Sequence, residues 1–181
     1  MTDYLVRMDT ADAARVSFGS EWTIGHTGGT ATWTFQLPID ETAATIRFDT
    51  ERYEVAVAGE PPRHLRSGDT ITLGPLVLRF LLPHPWTPTG VLLREAGPRS
   101  DSGADRLVLA AGPVLLGAGD SHVAAHDADE TVTLFETADE RPERSLAWKL
   151  VSGPLDGHRV NRLTLPTFLE TDTLRAAIEP A

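Results

Sequence analysis

The sequence predicts an all-β protein built from two β-sandwich modules in tandem. Short runs in which apolar and β-branched residues alternate with polar ones recur along the chain, and glycine- or proline-containing turns separate them. No run longer than about ten residues repeats its apolar positions at the helical period of about 3.6 residues. Strands are therefore the expected elements throughout.

In the first half, the alternation predicts strands over residues 4–8, 14–18, 22–25, 30–37, 44–48, 52–58, 70–73 and 76–82. The pattern is cleanest in residues 33–37 and 53–57, so one face of each strand should meet a core and the other water. Turn residues separate the strands, as at Gly28-Gly29 and Gly68-Asp69.

A proline-rich segment follows the first group of strands. Residues 83–88 contain three prolines, which exclude both a central strand and a helix interior. We therefore predict a module over residues 1–84, a connector over 85–90 and a second module over 91–181. Trp86 is expected to be buried between the modules, because an aromatic side chain commonly anchors such a connector.

The second half shows the same succession of short alternating runs and turns. Strands are predicted over residues 91–95, 106–110, 114–117, 122–126, 132–136, 147–151, 158–160 and 174–178. Two polar stretches, residues 97–104 and 138–145, interrupt them and are predicted to be surface loops.

Charge and composition exclude several classes of partner. The net charge of -10 opposes binding to nucleic acid or to an anionic membrane, where a basic surface supplies most of the affinity. No segment approaches the roughly 18 apolar residues of a membrane span, and the first residues lack the pattern of a secretory leader. The chain has no cysteine and therefore no disulfide. A cytoplasmic location is expected.

No constellation in the sequence predicts catalysis or a cofactor. His122 and His126 are four residues apart, but on a strand they would lie about 13 Å from each other, too far to share a metal ion. The triplet Gly119-Asp120-Ser121 is similar to the nucleophile block of some esterases, yet the matching Asp-x-x-His near the chain end is missing. We expect no enzyme activity, no cofactor and no metal.

The clearest local motif is residues 65–74, Leu-Arg-Ser-Gly-Asp-Thr-Ile-Thr-Leu-Gly, followed by the apolar residues 76–80. It resembles the closing hairpin of forkhead-associated (FHA) domains, where Leu-x-x-Gly-Asp-x-Ile-x-x-Gly precedes the final strand. Ser67, Gly68 and Asp69 favour a tight turn, and Ile71 and Leu73 should face the core. The resemblance implies a β-sandwich of the FHA/SMAD-like type.

Upstream residues resemble the phosphopeptide-binding segments of that family. Residues 22–26, Trp-Thr-Ile-Gly-His, are similar to the third-strand signature, in which an arginine follows the glycine; here His26 stands in that place. Asp40 and Ala43 stand where the family has a serine and a histidine. The resemblance implies that phosphate binding is weakened, because its arginine and serine are replaced.

The second half resembles the family less closely. Val114 to Gly117 match the strand before the arginine, whose place Ala118 takes, and Asp156-Gly157 replaces an Asn-Gly turn. Residues 169–174 are similar to the Gly-Asp motif but lack its glycine. Two diverged copies of the domain are our preferred interpretation; one FHA-like domain with an unrelated β extension is the alternative.

The resemblance implies a non-catalytic protein-interaction or scaffold protein that has lost most phosphothreonine-binding residues. Two alternatives stay open: a phosphopeptide reader through the second module, where His158 and Arg159 would meet the anion, and a structural subunit of a larger assembly. A protein partner is expected, and the oligomeric state stays open. The candidate peptide-binding loops are Gly25, His26, Thr27, Asp40 and Thr42 in the first module, and Ser121, His122, Asp156, Gly157, His158, Arg159 and Asn161 in the second.

Overall fold

A computed structural model of the chain describes residues 2–8, 13–36, 43–124, 131–137, 145–150, 161–162, 166–170 and 174–181. The regular elements in these residues are all strands, so the all-β prediction is confirmed. None of the described residues belongs to a helix long and apolar enough to cross a membrane. The first nine strands are β1 (Thr2–Met8), β2 (Ala14–Phe18), β3 (Glu21–His26), β4 (Trp33–Phe35), β5 (Ala44–Phe48), β6 (Tyr53–Val57), β7 (Arg63–Leu65), β8 (Thr70–Leu73) and β9 (Leu76–Leu81).

Nine further strands follow in the described residues of the second half. They are β10 (Gly90–Ala96), β11 (Arg106–Ala110), β12 (Val114–Gly117), β13 (Val123–Ala124), β14 (Thr131–Thr137), β15 (Ser145–Leu150), β16 (Asn161–Arg162), β17 (Thr167–Glu170) and β18 (Arg175–Pro180).

Hydrogen bonding joins these strands into three sheets. The long sheet has the order β17-β18-β1-β2-β11-β10-β9-β8, and two five-stranded sheets have the orders β4-β3-β5-β6-β7 and β13-β12-β14-β15-β16. Neighbours in the long sheet are antiparallel except for β2 and β11 at its centre, which are parallel.

The second nine strands repeat the connectivity of the first nine. When β1 to β9 are matched in order with β10 to β18, the two five-stranded sheets have the same strand order. In each of them one pair is parallel, β3 with β4 and β12 with β13, while the remaining pairs are antiparallel. The described strands therefore form a nine-strand repeat.

The two repeats exchange their first hairpins. The hairpin β1–β2 pairs with β18 of the second repeat, whereas the hairpin β10–β11 pairs with β9 of the first. The last hairpin of each repeat, β8–β9 or β17–β18, thus pairs with the first hairpin of the other repeat. The parallel contact between β2 and β11 joins the two halves into one continuous sheet.

Two separate hydrophobic cores lie on opposite faces of the long sheet. In β11, Leu107 and Leu109 pack with the five-stranded sheet β3–β7, while Val108 and Ala110 pack with the sheet β12–β16. Successive residues of a strand point to opposite faces, so these two cores are on different sides. Burial on both faces explains why residues 107–110 are apolar without alternation.

The cores do not divide the chain at the proline-rich segment. One core contains the buried apolar residues of β3 to β9 together with Leu92, Leu107 and Leu109, and the other combines buried residues of β1 and β2 with residues of the second half. The division into modules 1–84 and 91–181 stays a prediction, but its first range holds strands of both cores.

Most predicted strands of the described residues are present, with shifts of a few residues. The strand predicted over 30–37 is shorter, Trp33–Phe35. Of the one predicted over 122–126, Val123–Ala124 form a strand, and residues 125 and 126 lie outside the described residues. The short strands Arg63–Leu65 and Thr167–Glu170 were not predicted, because three or four residues give too little alternation to recognise. The strand predicted over 158–160 lies outside the described residues.

The Gly-Asp motif of the first repeat forms a turn before a hairpin. Gly68 and Asp69 lie between β7 and β8, where Gly68 has a φ of 96°. Residues 171–173 of the similar segment in the second half lie outside the described residues. Leu169, at the start of that segment, is buried as Ile71 is.

Candidate functional site

Three of the candidate peptide-binding residues lie together at the end of β3. Gly25 is buried, His26 is exposed, and Thr27 begins the turn that leads to β4. The Thr27 amide donates to the Phe35 carbonyl at 3.0 Å, which holds the turn against the edge strand β4. This end of the first repeat presents an exposed imidazole and a threonine side chain.

A carboxylate from the second repeat reaches this same turn. The Thr27 hydroxyl donates to Oδ1 of Asp101 at 2.9 Å, and the Asp101 amide donates to the Thr34 carbonyl at 3.0 Å. Asp101 belongs to the loop between β10 and β11, which also forms a bridge between Ser100 and Phe35. The hairpin exchange therefore places a negative charge beside Thr27, the residue that follows His26.

The next candidate segment is described only at its end. Asp40 and Thr42 lie outside the described residues. Ala43, which directly follows them, is buried, and its amide donates to the Ile24 carbonyl at 2.8 Å. Its carbonyl accepts from the Ala58 amide at 3.0 Å, so the chain leaves this segment firmly tied to β3.

Ser121 and His122 of the second repeat are buried. The Ser121 hydroxyl donates to the Ala118 carbonyl at 2.7 Å, and Nδ1 of His122 accepts from the Leu115 amide at 2.8 Å. Both side chains thus hold the local backbone around β12. They are not available to an external peptide in this arrangement.

The environment of His122 disfavours its charged form. Burial is the main cause that lowers its pKa to about 4, and the nearby His84 lowers it further. The Thr89 backbone has the opposite effect and raises the pKa. Nε2 of His122 is buried and has no hydrogen-bond partner among the described residues. The neutral ring, with Nδ1 as acceptor, is therefore the form that fits this place.

The remaining candidates of the second repeat cannot be placed. Asp156, Gly157, His158 and Arg159 lie outside the described residues, and only the backbone of Asn161, at the start of β16, lies within them.

The proline-rich segment is anchored by a buried tyrosine. The Tyr53 hydroxyl donates to the Pro88 carbonyl at 2.6 Å and accepts from the Gly90 amide at 3.0 Å; the Leu109 carbonyl lies 3.1 Å away. The hydroxyls of Thr87 and Thr89 both donate to the Pro113 carbonyl, at 2.9 and 3.0 Å. The segment is therefore fixed at its carboxyl end to both repeats.

Between its fixed ends, this segment covers one side of a cleft of about 510 Å³. We call it the connector cleft. Three chain segments line it: the β5–β6 hairpin, the turn after β7, and the residues that follow β9. The lining residues are Phe48, Glu51, Arg52, Tyr53, Leu65, Arg66, Ser67, Leu82, His84, Pro85, Thr87 and Pro88. The strand directions place this cleft at the end of the first repeat opposite to the β3–β4 turn.

Trp86 is 88% exposed, so its expected burial between the modules is wrong. Its segment is fixed by the hydroxyls of Tyr53, Thr87 and Thr89, so the Trp86 side chain is not the anchor. Asp101 and Arg66 were not among the candidate residues predicted from the sequence. The exposed tryptophan among prolines was the available signal for the cleft, but Asp101 had none, because its contact with Thr27 spans 74 residues.

Known proteins provide no assignment for this site. The chain matches no protein-family model, no curated protein and no solved structure. Within the described part of the chain, no three His, Asp or Glu side chains are grouped to hold a metal ion.

Proposed function

We propose that this protein is a non-catalytic interaction or scaffold protein built from two FHA-like modules, and that it binds its partner without phosphothreonine selectivity. Residues 22–26 form the third strand of the chain, as they do in the family they resemble. The Gly68-Asp69 turn likewise precedes a hairpin that ends the first repeat. The nine-strand repeat supports two copies over a single domain with an unrelated extension.

The single observation that carries the proposal is the contact between Thr27 and Asp101. A phosphate at the β3–β4 turn would need hydrogen-bond donors and positive charge around it. The Thr27 hydroxyl already donates to a carboxylate, at 2.9 Å, and His26 stands in the place of the family's arginine. A doubly negative phosphate would meet the Asp101 charge at close range, and this repulsion disfavours its binding.

The second repeat supports the phosphopeptide-reader alternative less well. Its candidates Ser121 and His122 are buried and bonded to the backbone, so they do not face a ligand. A phosphopeptide-binding site in this repeat would have to use residues 156–159, which lie outside the described part of the chain.

Titration with paired peptides tests the proposal. Isotope-labelled protein is titrated with a degenerate phosphothreonine peptide library and with the same library carrying threonine, and backbone amide shifts are followed. We expect no phosphate-dependent shift at the β3–β4 turn. Phosphate-dependent binding that is lost in His26→Ala would overturn the proposal for the first repeat, and loss in Arg159→Ala would overturn it for the second.

A gain-of-function variant checks the stated reason. Combining His26→Arg with Asp101→Asn returns a guanidinium to the turn and removes the opposing charge. Phosphate-dependent shifts around Thr27 should then appear, whereas His26→Arg alone should give weaker ones. Equal binding by the single and double variants would contradict the role given to Asp101.

A further inference from the structure

The connector cleft combines apolar walls with an unpaired guanidinium at its rim. Phe48, Leu65, Pro85 and Pro88 contribute apolar surface. Arg66 is exposed and makes no ion pair among the described residues. Most other described arginines pair with a carboxylate, as Arg52 does with Asp49 at 3.3 Å.

The segment that forms one wall of the cleft also carries exposed apolar side chains. Trp86 is 88% exposed and Leu82 is 40% exposed, and both lie in the segment that forms one wall. The ends of this wall are fixed: the Leu82 amide donates to the Ser67 hydroxyl at 2.9 Å, and the Tyr53 hydroxyl holds Pro88. An exposed tryptophan beside a preformed apolar cleft is typical of a binding surface.

The charges around the cleft select the kind of partner. Of the two guanidiniums that line it, Arg52 pairs with Asp49, so Arg66 is the one left to pair with a carboxylate of a partner. The unpaired Arg66 guanidinium would attract an anionic group of a partner, although the whole chain carries a net charge of -10.

We propose that the connector cleft binds an extended peptide segment of a partner protein that carries an apolar side chain next to a carboxylate. The apolar side chain enters between Leu65 and Pro88, the carboxylate pairs with Arg66, and Trp86 packs on the peptide from outside. This proposal rests on the proposed interaction function and names both the surface and the chemistry of the partner. The surface is remote from the β3–β4 turn.

Peptides of defined composition test this assignment. A hexapeptide library with one fixed leucine beside one fixed aspartate is added to the full chain, and tryptophan fluorescence is recorded. The spectrum of Trp86→Phe is subtracted, because it contains the emission of the other three tryptophans, Trp22, Trp33 and Trp148, measured with the same peptide. We expect a blue shift of the Trp86 emission, and a matched library with lysine in place of aspartate should bind roughly five-fold more weakly or worse.

Matched variants separate the cleft from general charge effects. Arg66→Glu should weaken binding of the aspartate library roughly five-fold or more, and Trp86→Ala should weaken it to a similar extent. Arg99→Glu is the control, since Arg99 is also exposed and unpaired among the described residues but does not line the cleft. Both test residues are exposed, so thermal unfolding of all variants should stay close to that of the wild type.

The outcomes distinguish this proposal from the interaction function itself. Equal loss of binding in Arg66→Glu and Arg99→Glu, or equal binding of both libraries, overturns the cleft assignment and leaves the interaction function untouched. A Trp86 blue shift that depends on protein concentration without peptide would mean that a second copy occupies the cleft, and this also overturns it. Phosphate-dependent binding at His26 would instead overturn the proposed function.

Discussion

The Tyr53 hydroxyl connects the first repeat to the proline-rich segment and to the first strand of the second repeat. Tyr53 lies in β6, is 2% exposed, and bonds to Pro88 and Gly90 on the segment that links the repeats. Burial raises its pKa, so the hydroxyl stays protonated and able to donate. Gly90 has no side chain at the closest approach, where a Cβ would lie 2.7 Å from the Phe80 ring.

Tyr53→Phe should lower the free energy of unfolding by about 1–3 kcal/mol, because the Gly90 amide and the Pro88 carbonyl lose a buried partner. Urea denaturation measures the loss. Hydrogen exchange gives a specific check, since the Gly90 amide should lose protection while amides of β14 keep theirs. Unchanged exchange at Gly90 would contradict the assigned bond.

Thr50 is the described non-glycine residue with positive φ, at 82°, in the β5–β6 hairpin that lines the connector cleft. A β-branched residue is strained there, and glycine is not. Thr50→Gly should therefore raise the free energy of unfolding by about 0.5–1 kcal/mol, after the entropy cost of glycine is subtracted. Thr72→Gly, on the exposed face of β8, is the control and should lower it by about 1 kcal/mol. A lower free energy of unfolding in both variants would refute the strain at Thr50.

His122 should make stability depend on pH. Its pKa falls from 6.5 to about 4 on folding, so between these values the unfolded chain binds more protons than the folded one. Its contribution to stability is complete above pH 6.5 and is lost as the pH falls toward 4, by at most about 1.4 kcal/mol per pH unit. His122→Asn keeps an acceptor for the Leu115 amide but does not titrate. Urea unfolding across this range should show a shallower slope for the variant, and identical slopes would exclude His122 as the source.

At the scale of elements, the β10–β11 loop is the part that brings the two repeats together at the candidate site. The Ser100 hydroxyl donates to the Ala104 carbonyl at 2.6 Å, and Arg94 pairs with Asp105 across its base. Gly97 packs on the turn between β8 and β9 with a φ of 99°. This ordered loop carries Asp101 to Thr27.

Gly97→Ala should lower the free energy of unfolding by about 2–4 kcal/mol. Its Cβ would lie 2.7 Å from the Pro75 carbonyl oxygen and 2.8 Å from the Leu76 Cα, and neither backbone atom moves easily. Gly103→Ala is the matched control in the same loop, because Gly103 has a φ of 71° but nothing within 4 Å of its Cβ position. The control should lose only about 1 kcal/mol. Similar losses, measured by urea denaturation, would mean that the close contact has no energetic role.

At the scale of the molecule, the exchange of hairpins makes each core depend on both halves of the sequence. Tyr4, Val6, Val16 and Phe18 belong to the core of the second repeat, while Leu92, Leu107 and Leu109 complete that of the first. A hairpin removed from its core would expose these side chains to water, at a cost of about 1.5–3 kcal/mol for each large one.

Fragments of the chain test this interdependence. Residues 19–112 contain one complete core and should unfold cooperatively on heating, as measured by circular dichroism. Residues 1–84 lack β18 and β10, the strands of the other repeat that pair with β1 and β9, so they should give no cooperative transition and should aggregate. The reverse pattern would show that the first hairpin belongs to the first core.

Local pattern was sufficient to predict the fold class and most strand positions. Alternation with a period of two is a property of neighbouring residues, and it located strands such as Tyr53–Val57 and Leu76–Leu81 to within a residue or two. The Gly68-Asp69 turn could be predicted for the same reason. The end of β3, with Gly25, His26 and Thr27, was likewise found from the motif that contains it.

The pairing of strands across the two repeats was decided only in the tertiary structure. Alternation predicts the two faces of a strand, but it does not predict which sheet the strand joins. The choice of sheet depends on packing between residues far apart in the chain. The hairpin exchange, the placement of Asp101 against Thr27 and the convergence of three segments on the connector cleft all follow from such packing. Burial of His122 and exposure of Trp86 were inaccessible to sequence reasoning because both depend on which surfaces the exchanged hairpins cover.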